Sequence, residues 1–245
     1  PARLSHINLR AMTSIEWANL KAHELRALAA ANAVVVVPVA AMEQHGPHLP
    51  VQVDSRLATE VSHRAARKAQ GDRSTVVLPV IWAGLSEHHM PFGGTITLDY
   101  QALFSVFRCI VDSLRRHGFT DVLILNGHGG NIDASKLIAQ DLTLELEEMT
   151  VVAATYWLEA ANLLGPLLDD QSNVLHAGEA ETSMMLQLTP DLVDDRDLAS
   201  HRTEADLGLQ PGEHARVAVV EAVRRGRGRQ LGRRHLLLHL HAEVL

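Results

Sequence analysis

The chain has 245 residues, 47% of them hydrophobic and 21% charged, with a mean hydropathy near zero. This is the composition of an ordinary globular protein and excludes disorder, collagen and coiled coil as its main description. The 22 Lys and Arg against 29 Asp and Glu leave a formal charge of −7, so no nucleic-acid surface is expected, because neutralising phosphates needs clustered basic residues.

Thr13 and Glu16 have capping-box spacing and open a predicted helix that runs to Asn32. The run Val34–Val39 is apolar at every position, which suits a strand buried on both faces of a parallel sheet. A helix is predicted over Arg56–Gln70 and a strand over Thr75–Ile81, with Pro79 confining that strand to an edge or an end. Asp99 caps a helix to His117, and Gly118 ends it. Asp121–Leu125 is a third strand, Ile132–Met149 a helix, Thr150–Thr155 a fourth strand, and Glu179–Leu188 a helix that stops near Pro190. Strands alternating with helices predict an α/β fold, a three-layer α/β/α sandwich around a mostly parallel sheet, in one domain over residues 1–245. Residues 213–245 stand apart, with seven arginines against Glu213, Glu221 and Glu243. They read as a solvated basic segment or an oligomer contact.

Cys109 is the only cysteine, which excludes an internal disulfide and a cysteine-based zinc site. No stretch approaches the ~20 apolar residues of a membrane span, and Pro1–Arg10 has no signal-peptide pattern. The expectation is a cytoplasmic protein with no membrane and no nucleic-acid partner. The unusual count is His, at 15, and four clusters hold the chemistry.

The first cluster is Glu43-Gln44-His45-Gly46-Pro47-His48, followed by Asp54. Glu43 and His45 are two apart and leave an extended backbone on the same side. Two carboxylates and an imidazole suit Zn, Mn or Fe(II); a merely hydrogen-bonded polar loop is the bland alternative. The second is Asn126-Gly127-His128-Gly129-Gly130-Asn131, which lacks the spacing of a dinucleotide or phosphate loop. Both follow the C-terminal ends of predicted strands, where open α/β sheets place their sites.

In the third cluster, His176 precedes a helix that begins with Glu179 and Glu181. These two glutamates cannot share a helix face, so at most one points into a site. His176 is a candidate acid or base, or a ligand. In the fourth, Ser86 offers a hydroxyl, and adjacent His88 and His89 point to opposite sides of an extended chain, so one at most faces the site. Three carboxylates (Glu43, Asp54, Glu181) and two imidazoles (His45, His128) suffice for two metals with one bridging carboxylate, an arrangement that activates water and clamps an oxyanion. No G-x-S-x-G elbow is present, which counts against a serine hydrolase.

These four ordered motifs resemble the creatininase (creatinine amidohydrolase) family, over residues 5–195. The resemblance implies a three-layer α/β fold, a binuclear centre of Zn, Mn or Fe, a homohexamer, and hydrolysis of a small-molecule amide at a C–N bond. By position, Glu43 and His128 would hold one metal, His45 the other, and Asp54 both. Creatininase proper has a further glutamate two residues after the histidine of the second motif, where this chain has Gly130. It is therefore more similar to the NGHGGN branch, in which Glu181 would fill the second site. His176 and Ser86 match substrate-contacting residues, Gly129 replaces an aromatic beside the substrate, and Trp157 matches an aromatic near the pocket. Either His176 or Glu179 would pass a proton to the leaving nitrogen. That branch is similar to a formamide hydrolase and to a peptidase acting on a cofactor-precursor peptide. Phosphoester hydrolysis and a non-catalytic metal-binding role stay open as rivals. The Arg-rich C-terminus departs from the Gly-rich turn and following helix that the family leads one to expect.

Overall fold

Val34–Val39 (β1) is buried at nearly every residue because helices cover both of its faces. The computed structural model describes residues 14–196 apart from 170, 172 and 195. Thr13 and the Arg-rich segment 213–245 lie outside the described residues. In chain order, α1 (Ala22–Ala30) leads into β1. It is followed by α2 (Val53–Ala69), β2 (Thr75–Val77), α3 (Tyr100–Arg116), β3 (Asp121–Asn126), α4 (Ile132–Glu145) and β4 (Thr150–Thr155). Two single helical turns, α5 (Tyr156–Glu159) and α6 (Ala161–Leu164), precede α7 (Glu179–Leu188).

The four strands form one sheet in the order β2-β1-β3-β4, and every pairing is parallel. Period-2 alternation divides the core. Val35, Val37, Val39, Val122 and Ile124 pack with Leu28 of α1, Phe107 of α3 and Ile138 of α4. Val36, Val77 and Leu125 face the other way, onto Leu57 and Val61 of α2 and Met184 and Met185 of α7. The result is a three-layer α/β/α sandwich.

Pro38 sits in a central strand without breaking the ladder. β2 pairs with β1 only over Val34, Val35 and Val36, so beyond that point Pro38 has no β2 neighbour that would need its missing N–H. Its carbonyl still accepts from Ile81 N–H at 2.9 Å. The strand expected over Thr75–Ile81 thus ends at Val77, leaving only an isolated Val39–Ile81 bridge, and Pro79 lies past the end of an edge strand.

Other boundaries shift for local reasons. The first helix is split: Trp17–Asn19 is a 3₁₀ turn, and α1 begins after Lys21, whose N–H donates to Glu24 Oε2 at 2.7 Å. α2 begins three residues earlier than expected, which puts Asp54 in a helical first turn and not in a loop. α4 stops at Glu145, short of Met149. Asp99 caps α3 as expected, accepting from Ala102 N–H at 2.7 Å. Among the described residues, no helix is long and apolar enough to cross a membrane.

Candidate metal centre

Parallel topology brings the exits of β1, β3 and β4 to the same edge of the sheet. Glu43 and His45 follow β1, and His128 follows β3. Asp54 and Glu181 come from the first turns of α2 and α7, where the helix dipole favours a carboxylate. All five side chains are buried.

Asp54 lies between the two imidazoles. Its Oδ1 is 3.1 Å from Nε2 of His45, and its Oδ2 is 3.0 Å from Nδ1 of His128. His45 Nε2 is also 3.7 Å from Glu181 Oε2, and His128 Nδ1 is 3.3 Å from Glu43 Oε1. Two groups result, Glu43–Asp54–His128 and His45–Asp54–Glu181, each compact enough to surround one ion, with Asp54 common to both.

Each ring spends its other nitrogen on a backbone carbonyl. His45 Nδ1 is 3.1 Å from Glu43 O, and His128 Nε2 is 3.1 Å from Leu85 O. A carbonyl can only accept, so that nitrogen carries the proton and the inward one is free to ligate, as in metal-bound histidines generally. Ser86 is fully buried, with its hydroxyl 3.3 Å from His128 Nε2. It therefore supports the ring from behind.

The charge balance is unfavourable without a cation. The buried oxygens of Glu43 and Oδ2 of Asp54 face no hydrogen-bond donor other than imidazole rings, which is costly unless charge is neutralised. The protein alone compensates by taking up protons. Burial opposes a charged His45, but the Asp54 carboxylate prevails and pushes its pKa up to about 9. His128 is pushed up to about 10, burial being outweighed by Asp54 and Glu43. Burial would raise Asp54, yet His45 and His128 hold it well below the usual carboxylate range. Glu181 is pushed up to about 7 by burial, reinforced by Asp54 and only partly countered by His45. Hard and borderline donors, buried carboxylate oxygens and correctly turned imidazoles together fit divalent cations.

The motif asparagines act as clamps. Asn126 accepts from His128 N–H at 3.0 Å and donates to His128 O at 2.8 Å. Asn131 accepts from Leu85 N–H at 2.9 Å and donates to Ala40 O at 3.0 Å, tying three loops together. Between them, Gly130 is required by close approach: a Cβ there would run into the Leu85 carbonyl and come within 2.6 Å of His128 Nε2. Gly129 is exposed and its Cβ position is open. Just before α7, Ala177 has a positive φ of 51°, and its N–H donates to Glu181 Oε2 at 2.6 Å, aiming that carboxylate at His45.

Other sequence candidates go elsewhere. Glu179 is turned away, its Oε1 accepting from Asp169 N–H at 2.8 Å, and it joins none of the ion-sized groups; the sharing rule for helix faces anticipated that only one of the two glutamates turns inward. Trp157 is core, edge-on to Tyr156 at 5.0 Å. His176 is partly exposed, with Nδ1 3.4 Å from Glu43 Oε1.

More neighbours reach the site than expected. Glu87–Phe92 is a 3₁₀ turn, so adjacent side chains do not alternate, and both His88 and His89 lie beside Glu43. This corrects the expectation that one at most faces the site. Tyr156 follows β4 as His128 follows β3, and its buried hydroxyl has no hydrogen-bond partner. Burial, with the charges of Glu181 and Asp54, raises its pKa well above the ordinary value. Its place at a strand end was a signal that could have found it.

A family model described as creatininase, creatinine amidohydrolase, matches residues 18–229. The creatinine amidohydrolase of Pseudomonas putida is 32% identical over 192 residues, 71% of each chain. A mycofactocin precursor peptide peptidase of Mycolicibacterium smegmatis is 32% identical over 180 residues, 73% of this chain and 67% of its own. A solved manganese creatininase superposes with a TM-score of 0.64 at 31% identity, covering 75% of this chain and 76% of that one. With the family model matching well over half of its length, this chain belongs to the creatininase (creatinine amidohydrolase) family.

Proposed function

We propose that the protein is a two-metal amidohydrolase that cleaves a non-peptide C–N bond, in a creatinine-like cyclic amide or a formamide. Glu43, Asp54 and His128 would hold one ion of Zn, Mn or Fe, and His45, Asp54 and Glu181 the other. The observation that carries this reading is Asp54, with one oxygen facing each imidazole while both rings spend their remaining nitrogen on a carbonyl. When bound, such ions acidify water and offset charge developing on a carbonyl oxygen.

The chain's own groups supply the rest. Backbone carbonyls of Glu43 and Leu85 keep the inward nitrogens of His45 and His128 unprotonated in the loaded state. Burial of the carboxylates excludes bulk water and strengthens every charge interaction inside. His176, partly exposed and 3.4 Å from Glu43, holds a proton at Nδ1 and delivers it to the leaving nitrogen. Glu179 is occupied by Asp169 N–H and is not assigned that task.

A second reading, metallopeptidase action on a cofactor-precursor peptide, is favoured by the similarity to the mycofactocin precursor peptide peptidase. The purified protein, reconstituted with Zn, Mn or Fe(II), should be assayed on creatinine, formamides, short peptides and nitrophenyl phosphate. Metal-dependent release from creatinine or a formamide, abolished by chelator, is expected. Cleavage of peptides alone selects the second reading, and phosphatase activity exceeding all amide cleavage contradicts both.

A further inference from the structure

Gln44 lies between two of the proposed ligands, yet its side chain joins neither ion-sized group. Its Oε1 accepts from Gly46 N–H at 2.9 Å, which fixes the ends of the amide. The amide nitrogen is then 3.0 Å from His89 Nδ1 and 3.2 Å from His176 Nε2. An amide NH₂ has two hydrogens to give and accepts nothing, so both ring nitrogens must offer lone pairs. A neutral imidazole has one N–H and one lone pair, and the bond made at one nitrogen decides where the proton sits. His89 therefore carries its hydrogen on Nε2 and His176 on Nδ1. Those two nitrogens lie 3.6 and 3.4 Å from Glu43 Oε1.

The arrangement is braced. The two rings stack with centroids 4.3 Å apart and planes 24° apart. Thr95 Oγ1 accepts from Gln44 N–H at 3.2 Å and donates to His89 O at 3.2 Å, so one hydroxyl spaces both backbones.

We propose that Gln44 is a positioning residue that holds His89 and His176 in opposite tautomers, so that each ring presents an N–H towards Glu43. Two consequences follow. His176 is a donor and not a ligand, although Glu43, His45 and His176 are close enough together to surround an ion. His89 becomes a second inward donor, able to meet a carbonyl oxygen or a leaving nitrogen. Only the kinetic consequence rests on the hydrolase reading; the tautomers belong to the protein itself.

Ring-nitrogen NMR of the zinc-loaded, ¹⁵N-histidine-labelled chain tests this, with His89→Asn and His176→Asn assigning the signals. The expected result is neutral His176 as the Nδ1–H form and neutral His89 as the Nε2–H form. Gln44→Glu keeps the shape but replaces the donor with an acceptor. Both rings should then reverse or become cations, with zinc content unchanged. kcat should fall by about tenfold or more while KM moves little, since general-acid groups contribute about 10²–10⁴. Gln44→Met, which removes the donor without adding charge, should release His176 from the Nδ1–H form. An Nε2–H His176 in the unsubstituted protein overturns the inference, as do ring signals unmoved in both variants. A chain that shows these tautomers but hydrolyses no amide sinks the functional reading and leaves this one standing.

Discussion

His45 and His128 differ from His89 and His176 in what their inward nitrogens offer. The inner pair is deeply buried, gives its outer nitrogens to backbone carbonyls, and turns lone pairs towards carboxylates. The outer pair is partly exposed, receives hydrogens from one glutamine, and turns N–H groups the same way. Residue type and proximity are alike in both pairs. What separates a ligand from a donor is the partner at the far nitrogen, an acceptor in one case and a donor in the other.

Single substitutions should separate the pairs. His45→Ala or His128→Ala is expected to lose a cation and at least about 10³ of the activity, since a metal supplies several kcal/mol of transition-state stabilisation. His176→Asn should keep both cations and lower kcat by about 10²-fold. Equal metal loss from inner and outer variants would erase the distinction. A smaller effect is steric: Gly130→Ala should destabilise by ~1–3 kcal/mol through overpacking against Leu85 and His128, whereas Gly129→Ala should stay within about 0.5 kcal/mol. Thermal melts of the two variants check this.

The inner pair also sets a pH signature in the metal-free protein. The folded pKa values of His45 and His128, about 9 and about 10, lie above the ordinary 6.5. Their stabilising protonation is complete below pH 6.5 and is lost as pH rises through 9 to 10. The metal-free melting temperature should therefore fall over that range. The loaded protein should resist the fall, because binding requires neutral imidazoles. A metal-free melt that is flat from pH 7 to 10 would contradict these assignments.

The fold was legible where side-chain period decides structure. β1 and β4 run over the residues expected, because Val-rich runs have no other place in an α/β sheet. β2 is shorter than the apolar run Thr75–Ile81 suggests, because the chain leaves the sheet at Val77, before Pro79 is reached. Glu43, His45 and His128 were legible as donors just past strand ends, and Asp54 as a second carboxylate close behind them in sequence. The role of Gln44, and the approach of both His88 and His89 where one at most was expected, were not, because they depend on a 3₁₀ turn and a Gly46 contact that alternation arguments do not contain. For Glu179 and Glu181, the helix-face rule allowed at most one to turn inward and the family resemblance named Glu181; the Ala177 N–H supplies the physical reason.

Elemental analysis of the purified chain beside its Asp54→Ala variant tests the central claim most directly. Two divalent ions per chain in the former and almost none in the latter are predicted, with circular dichroism showing the fold retained. A full complement of two ions in the Asp54→Ala variant would contradict the shared-carboxylate centre.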